Sequence, residues 1–209
     1  MAYIGDNAIK FKPVETENIG SLASLILSEL PDCDDLIIRQ QLGYALREFC
    51  RETDACVIDQ PCMAQMTPFG VYAFPVVGVP NGMVLGSVLN FTVRGASVPF
   101  EVKDYPTPHI VANYCVCEGD RAVLRYSVYP KAGGEDCPRW FKERYAEAIV
   151  AGAMHHLLSM QKRPWADPQR AVEYGAKYAD AINEAAYRRL GSAAYGGAES
   201  AIPSGGLFM

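Results

Sequence analysis

The chain has 209 residues, of which 50 % are hydrophobic and 21 % charged, with a net charge of −5. That length suits one domain, or one compact domain carrying an inserted subdomain. There is no apolar run of about 18 residues to cross a membrane, no basic cluster to neutralise nucleic-acid phosphates, and no basic-then-apolar leader at Met1–Asp6.

Residues 1 to 14 are mixed, contain Pro13 and are expected to be an extended arm. A short helix is predicted over Ile19 to Leu30, stopped by Pro31. Asp34 or Asp35 can cap the next helix, predicted to run to Thr53. In it Ile38, Leu42, Ala45, Leu46 and Phe49 form one apolar stripe, and Arg39, Arg47, Glu48, Arg51 and Glu52 are the solvated remainder.

From Cys56 to Tyr129 the pattern changes to short runs of β-branched and aromatic residues broken by Gly and Pro. Strands are predicted over 57–66, 70–74, 83–93, 98–102, 110–117 and 122–129. Arg94–Ser97 and Glu118–Arg121 read as hairpin turns in which Gly supplies positive φ. The second hairpin would set Val111, Asn113 and Cys115 against Val123, Arg125 and Ser127.

After the loop 131–136, a helix is predicted from Pro138 to Met160 that buries Phe141, Tyr145, Ala148, Ile149, Gly152, Ala153 and Leu157. It is apolar over nearly its whole circumference after Ala148. Its small residues let another helix approach closely. Asp167 as cap and Pro168 at the first position open a last helix running to Leu190, with Ala171, Tyr174, Tyr178, Ala181, Ile182 and Ala185 on one stripe. From Gly191 the chain is rich in Gly, Ala and Ser and is expected to be an extended arm, free or ordered by a partner.

The fold class expected is thus α+β: a helical bundle formed by N- and C-terminal helices (1–55 and 137–190), an inserted antiparallel β subdomain (56–136), and a C-terminal arm (191–209). No solenoid-period repeat is present.

Signatures of catalysis are sparse. The Walker loop, the Rossmann glycine fingerprint, G-x-S-x-G and H-E-x-x-H are all missing. His155 and His156 are adjacent on a helix and point about 100° apart, so His156 reads as a packed or interfacial residue. His109 stands in a Pro-rich loop with no acid–base partner nearby. Asp34–Asp35 and Glu135–Asp136 are paired carboxylates, but both stand where helices are expected to start and read as macrodipole partners. Trp140 and Trp165 read as a helix-start anchor and a loop plug. The seven cysteines are odd in number and read as free thiols. Cys115 and Cys117 share one face of a strand and could be half of a metal site, although burial as small hydrophobes is the favoured reading.

Two segments carry a resemblance. One is Leu30-Pro-Asp-Cys-Asp-Asp-Leu36 leading into Ala45-Leu-Arg-Glu-Phe-Cys-Arg-Glu-Thr53. The other runs from Trp140 to Ala185, through Ala148-Ile149, Gly152-Ala153, Leu157-Leu158, Pro164-Trp165, Asp167-Pro168, Ala171, Tyr178 and Ile182. Together they cover about a third of the chain and resemble the tailed-bacteriophage head–tail connector or adaptor family. The chain departs from that pattern at Ala55-Cys56, where the family usually has a Trp.

The resemblance implies a structural virion protein at the head–tail junction, assembled in the host cytoplasm. Its partners would be the portal protein, a tail nozzle or tube protein, and further copies of itself in a ring, commonly a dodecamer in that family. Genomic DNA would pass through without specific binding, which suits an acidic surface. No catalytic residue, cofactor or metal is implied. Tyr145, Ile149, Gly152, Ala153, Tyr178 and Ile182 are the expected helix-packing or oligomer residues. Ile202, Leu207 and Phe208 are the expected portal anchors. The alternatives are a tail-tube or nozzle component and, in another class, a small cysteine- or metal-dependent enzyme.

Overall fold

The computed structural model describes residues 14–66, 71–76, 78–104, 108–112 and 117–194. It opens with strand β1 (Thr16–Asn18), a 3-10 turn (Ile19–Leu22) and helix α1 (Ala23–Glu29). Helix α2 (Asp35–Thr53) follows. Asp34 caps it, its carboxylate accepting from the Leu36 N–H at 2.8 Å. The helix ends at Asp54 in the left-handed conformation, φ +48°.

The β region contains β2 (Val57–Met63), β3 (Gln65–Met66), β4 (Tyr72–Pro75), β5 (Met83–Val93), β6 (Ala96–Ser97), β7 (Phe100–Asp104), β8 (Pro108–Ala112) and β9 (Arg121–Pro130). β10 (Asp136–Pro138) then leads into α3 (Arg139–Leu158). Last comes α4 (Pro168–Ala194), capped by Asp167, whose carboxylate accepts from the N–H groups of Gln169 and Arg170, each at 3.1 Å.

All three sheets are antiparallel. One has the order β2-β9-β5-β6, the second β3-β4-β8-β7, and the third pairs β1 with β10. The mix is α+β, as expected, but the arrangement is not a helical bundle carrying an inserted β region. Strand makes up about 30 % of the described chain and is spread over three sheets. β1 and β10 form a clamp that straddles the expected boundaries. Ile19 donates to the Glu135 carbonyl at 2.7 Å and Arg139 to the Glu15 carbonyl at 3.0 Å, so the first and second halves of the chain are tied before α3 begins. The buried side chains of helices and sheets also form one continuous cluster, from Ile19 and Phe49 through Leu124 and Tyr126 to Ala185. The helices share their core with the sheets and do not stand as a bundle of their own.

Five local expectations are corrected with it. The predicted strand over 57–66 breaks at Ala64, whose N–H turns to the Asp120 carbonyl at 3.0 Å. The first hairpin turn is only Arg94-Gly95, both at positive φ, because Ala96 and Ser97 already pair with β5 as β6. The hairpin of 111–115 against 123–127 does not form. β8 pairs with β4 and β7, while both edges of β9 are taken by β2 and β5; Asn113 and Cys115 lie outside the described residues. Glu135 and Asp136 are not helix caps, since Asp136 pairs with Asn18 in the small sheet and α3 starts beyond them, at Arg139. The last helix also runs past Leu190 to Ala194.

Inside the β2-β9-β5-β6 sheet, β5 bulges against β9. Leu85 pairs with Val128 and Val88 with Tyr126, so Gly86 and Ser87 together face Ser127. A Cβ on Gly86 would stand 2.5 Å from Ser127 Oγ, which is why the position is glycine.

Candidate interaction surface

α3 lies between α2 and α4, which explains its all-round apolarity: every residue of it from Ala148 to Leu158 is buried or half-buried. The closeness of α3 and α4 rests on two glycines used reciprocally. The Tyr178 ring of α4 lies over Gly152 of α3, and the His155 ring of α3 lies over Gly175 of α4. An added Cβ would meet those rings at 2.7 and 2.8 Å respectively. Tyr178 then reaches past α3 and donates its hydroxyl to the Ala45 carbonyl of α2 at 2.8 Å. Burial pushes its phenol pKa well up, so the hydroxyl keeps its proton and stays a donor. Phe49, Phe141 and Tyr145 complete an aromatic cluster, with ring centroids 5.0 Å apart for Phe49–Tyr145 and 4.8 Å for Phe141–Tyr145.

The structure therefore gathers the expected packing residues. Ile149, Gly152, Ala153 and Tyr178 are buried within the three-helix contact, and Tyr145 and Ile182 are half-buried at its margin. In the monomer they serve packing within the chain. The three expected anchors, Ile202, Leu207 and Phe208, lie outside the described residues.

What remains for a partner is the outer surface of this layer. An open groove of about 340 Å³ runs between α3 and α4, floored by Ala148, Ala151 and Ala181 and rimmed by Arg144, Lys177 and Arg188. Glu147 and Glu184 interleave with these cations, and Arg188 pairs with Glu184. Large apolar side chains also face solvent on the helices: Leu36 is 64 % exposed, Tyr44 60 %, Val172 72 % and Tyr187 79 %. Leu36 and Tyr44 stand two turns apart on one face of α2, with Gln40 between them. Val172 and Tyr187 fall within about 60° of each other around α4. None of these was singled out from the sequence, yet there was a signal. Leu36 and Tyr44 are large and apolar but stand off the stripe of Ile38, Leu42, Ala45, Leu46 and Phe49.

His156 sits at the α2–α3 seam beside this surface. Its ring meets Tyr44 edge-on at 5.1 Å, and Nε2 stands 3.5 Å from a Glu48 carboxylate oxygen. Nδ1 is buried and has no hydrogen-bond partner among the described residues. Burial lowers the His156 pKa and outweighs the opposing pull of Glu48. A histidine whose folded pKa lies below its unfolded value of about 6.5 contributes stability that is present above that pH. The contribution is lost as pH falls through the folded value. Urea midpoints measured between pH 7 and pH 5 should therefore fall further for the native chain than for His156→Gln; equal falls would refute this.

The buried thiols offer little to a cysteine chemistry. Of those described, Cys33, Cys50, Cys56, Cys62 and Cys137 are buried and only Cys117 is exposed. Burial pushes both Cys62 and Cys137 up to about 12, and Cys56 also well above the ordinary range. That is the opposite of an activated nucleophile. Among the described residues no group of three or more His, Cys, Asp or Glu is placed to hold a metal ion, and no helix is long and apolar enough to cross a membrane. Cys115 lies outside the described residues. His109 holds a place in β8, paired with Pro75 and Lys103.

No protein-family model matches this chain, and a search of curated proteins finds no match either.

Proposed function

We propose that the chain is a structural virion protein of a tailed phage: a head-to-tail adaptor whose copies form a ring between portal and tail. The resemblance of Leu30–Thr53 and Trp140–Ala185 supplies the family. The observation that carries the reading is the outer surface of α2 and α4. Leu36, Tyr44, Val172 and Tyr187 stay in solvent on helices whose inner faces are already filled. Exposed apolar groups on a helical layer suit a protein that is covered when assembled. The groove between α3 and α4 carries both signs of charge, which favours a defined register with a neighbour. A net charge of −5 suits a ring through which DNA passes without adhering. On this reading the protein performs no catalysis, and Ile202, Leu207 and Phe208 are its anchors on the portal.

The test is the particle mass of the purified protein alone and with portal, together with the protein content of purified virions. The expected result is a particle many times the 22.9 kDa chain, formed alone or on portal, and a place in the virion. Deleting residues 199–209 should leave the melting temperature nearly unchanged and weaken portal binding. A monomer under both conditions that is also absent from virions would overturn the adaptor reading. Full portal binding by the truncated chain would overturn the role of the anchors.

A further inference from the structure

Three side chains far apart in sequence form one hydrogen-bonded line from the end of α4 to the bulge in β5. Arg189 Nη1 donates to Asp54 Oδ2 at 2.8 Å. Ser127 Oγ donates to the other oxygen, Asp54 Oδ1, at 2.7 Å. Ser127 Oγ in turn accepts from the Ser87 N–H at 2.8 Å. Ser127 Oγ also stands 3.4 Å from the Ser87 carbonyl, a longer second acceptor. The Ser87 N–H belongs to the bulge and has no ladder partner there, Ser127 is 1 % exposed, and Asp54 is the left-handed residue that ends α2. Gly86 is what lets the Ser127 hydroxyl enter the bulge at all.

We infer that Asp54 is a two-sided latch through which the seating of the last turns of α4 sets the order of the β5 bulge. The carboxylate is held by a guanidinium on one side and by a hydroxyl on the other, so neither neighbour can leave without loosening the other's acceptor. The reach of the device follows from the topology. α4 is the last described element of the chain, while β5 pairs with β9 inside the β2-β9-β5-β6 sheet. Displacing the final turns of α4 draws Arg189 away from Asp54. The Ser127 hydroxyl then turns toward its longer contact with the Ser87 carbonyl, and the Ser87 amide loses its fixed partner. The reverse also holds: an event that reshapes the bulge loosens the end of α4, because coupling between two sites is reciprocal. The latch stands apart from the adaptor reading, since it needs only the intact chain.

Amide hydrogen exchange on the full-length protein tests it, comparing the native chain with Arg189→Ala and Ser127→Ala. Arg189→Ala leaves Asp54, Ser127 and Ser87 in place, yet it should speed exchange of the Ser87 amide by roughly tenfold, the scale of one charge-assisted hydrogen bond. The Leu124 amide, in the same sheet and away from the bulge, should keep its native rate. Ser127→Ala should speed exchange of the Arg188 and Arg189 amides in return. An unchanged Ser87 rate in Arg189→Ala would overturn the inference. So would an equal rise at Ser87 and Leu124, which would mark general destabilisation. Should Ser127→Ala fail to fold, the Arg189→Ala comparison decides alone, because Arg189 is partly exposed and lies outside the core.

Discussion

Truncating Tyr178 to alanine is expected to cost about 3–5 kcal/mol of folding stability, the range for losing a large aromatic side chain from a core. For a chain of this size that corresponds to a fall in melting temperature on the order of 10 °C. The expectation rests on position. The ring is 5 % exposed, lies over Gly152 of α3, stands 6.1 Å from the Phe49 ring of α2, and ends in a hydrogen bond to the Ala45 carbonyl. One side chain thus joins all three long helices, and its removal leaves a cavity that Gly152 cannot fill. Tyr178→Phe separates the two contributions. It keeps the ring and loses only the hydroxyl, so it should cost about 0.5–1.5 kcal/mol, the net value of an ordinary hydrogen bond. The Ala45 carbonyl is a helix carbonyl and is not orphaned by the change. Urea melts of the two variants check both figures. A Tyr178→Phe loss equal to that of Tyr178→Ala would show that the hydroxyl, not the ring, holds the helices together.

The parts of the fold legible in the sequence were those set by local chemistry. The stripe from Ile38 to Phe49, the Asp34 and Asp167 caps, and Pro168 at a first position marked α2 and α4 because each signal acts within a turn or two of helix. β5 was legible over its full length, since its β-branched and aromatic run ends at a Gly turn. Strand partnership was not. Glu118-Gly119-Asp120 does turn the chain, with Gly119 at φ +82°. But a turn says nothing about which strand takes each edge of β9, and β2 and β5 take them. β1 and β10 have three residues each, too few for any period to show, and pairing between them turned an apparent acidic cap into a strand. The same limit applies to the interaction surface and the latch. That Gly152 admits a close neighbour could be read from its size, but not that the neighbour is the Tyr178 ring. An isolated Gly inside β5 was a visible sign of a bulge. Nothing local ties Asp54, Ser127 and Arg189 together, because only the tertiary fold makes them adjacent.

Gly152 carries the second large expected effect, and two opposing principles decide its sign. In an exposed helix interior, glycine to alanine stabilises by about 1 kcal/mol, because alanine loses less backbone entropy on folding. At Gly152 the new methyl would stand 2.7 Å from one ring carbon of Tyr178 and 2.9 Å from two more. The ring cannot swing clear, because its hydroxyl is anchored on Ala45 and its other neighbours are buried. Relief must come from moving α4 off α3 by several tenths of an ångström. Overpacking of that kind costs typically 1–3 kcal/mol. The net effect of Gly152→Ala is therefore a loss of up to about 2 kcal/mol, against the gain that the propensity rule alone gives. Gly152→Leu should reach or exceed about 3 kcal/mol, since no rotamer of a longer side chain avoids the ring. The pair Gly152→Ala with Tyr178→Ala supplies the check. With the ring gone the methyl has room, and Gly152→Ala should become neutral or stabilising in that background. A Gly152→Ala change that stabilises the native chain would mean that α4 is free to shift on α3, and the close contact through Tyr178 would not be what holds the helices in place.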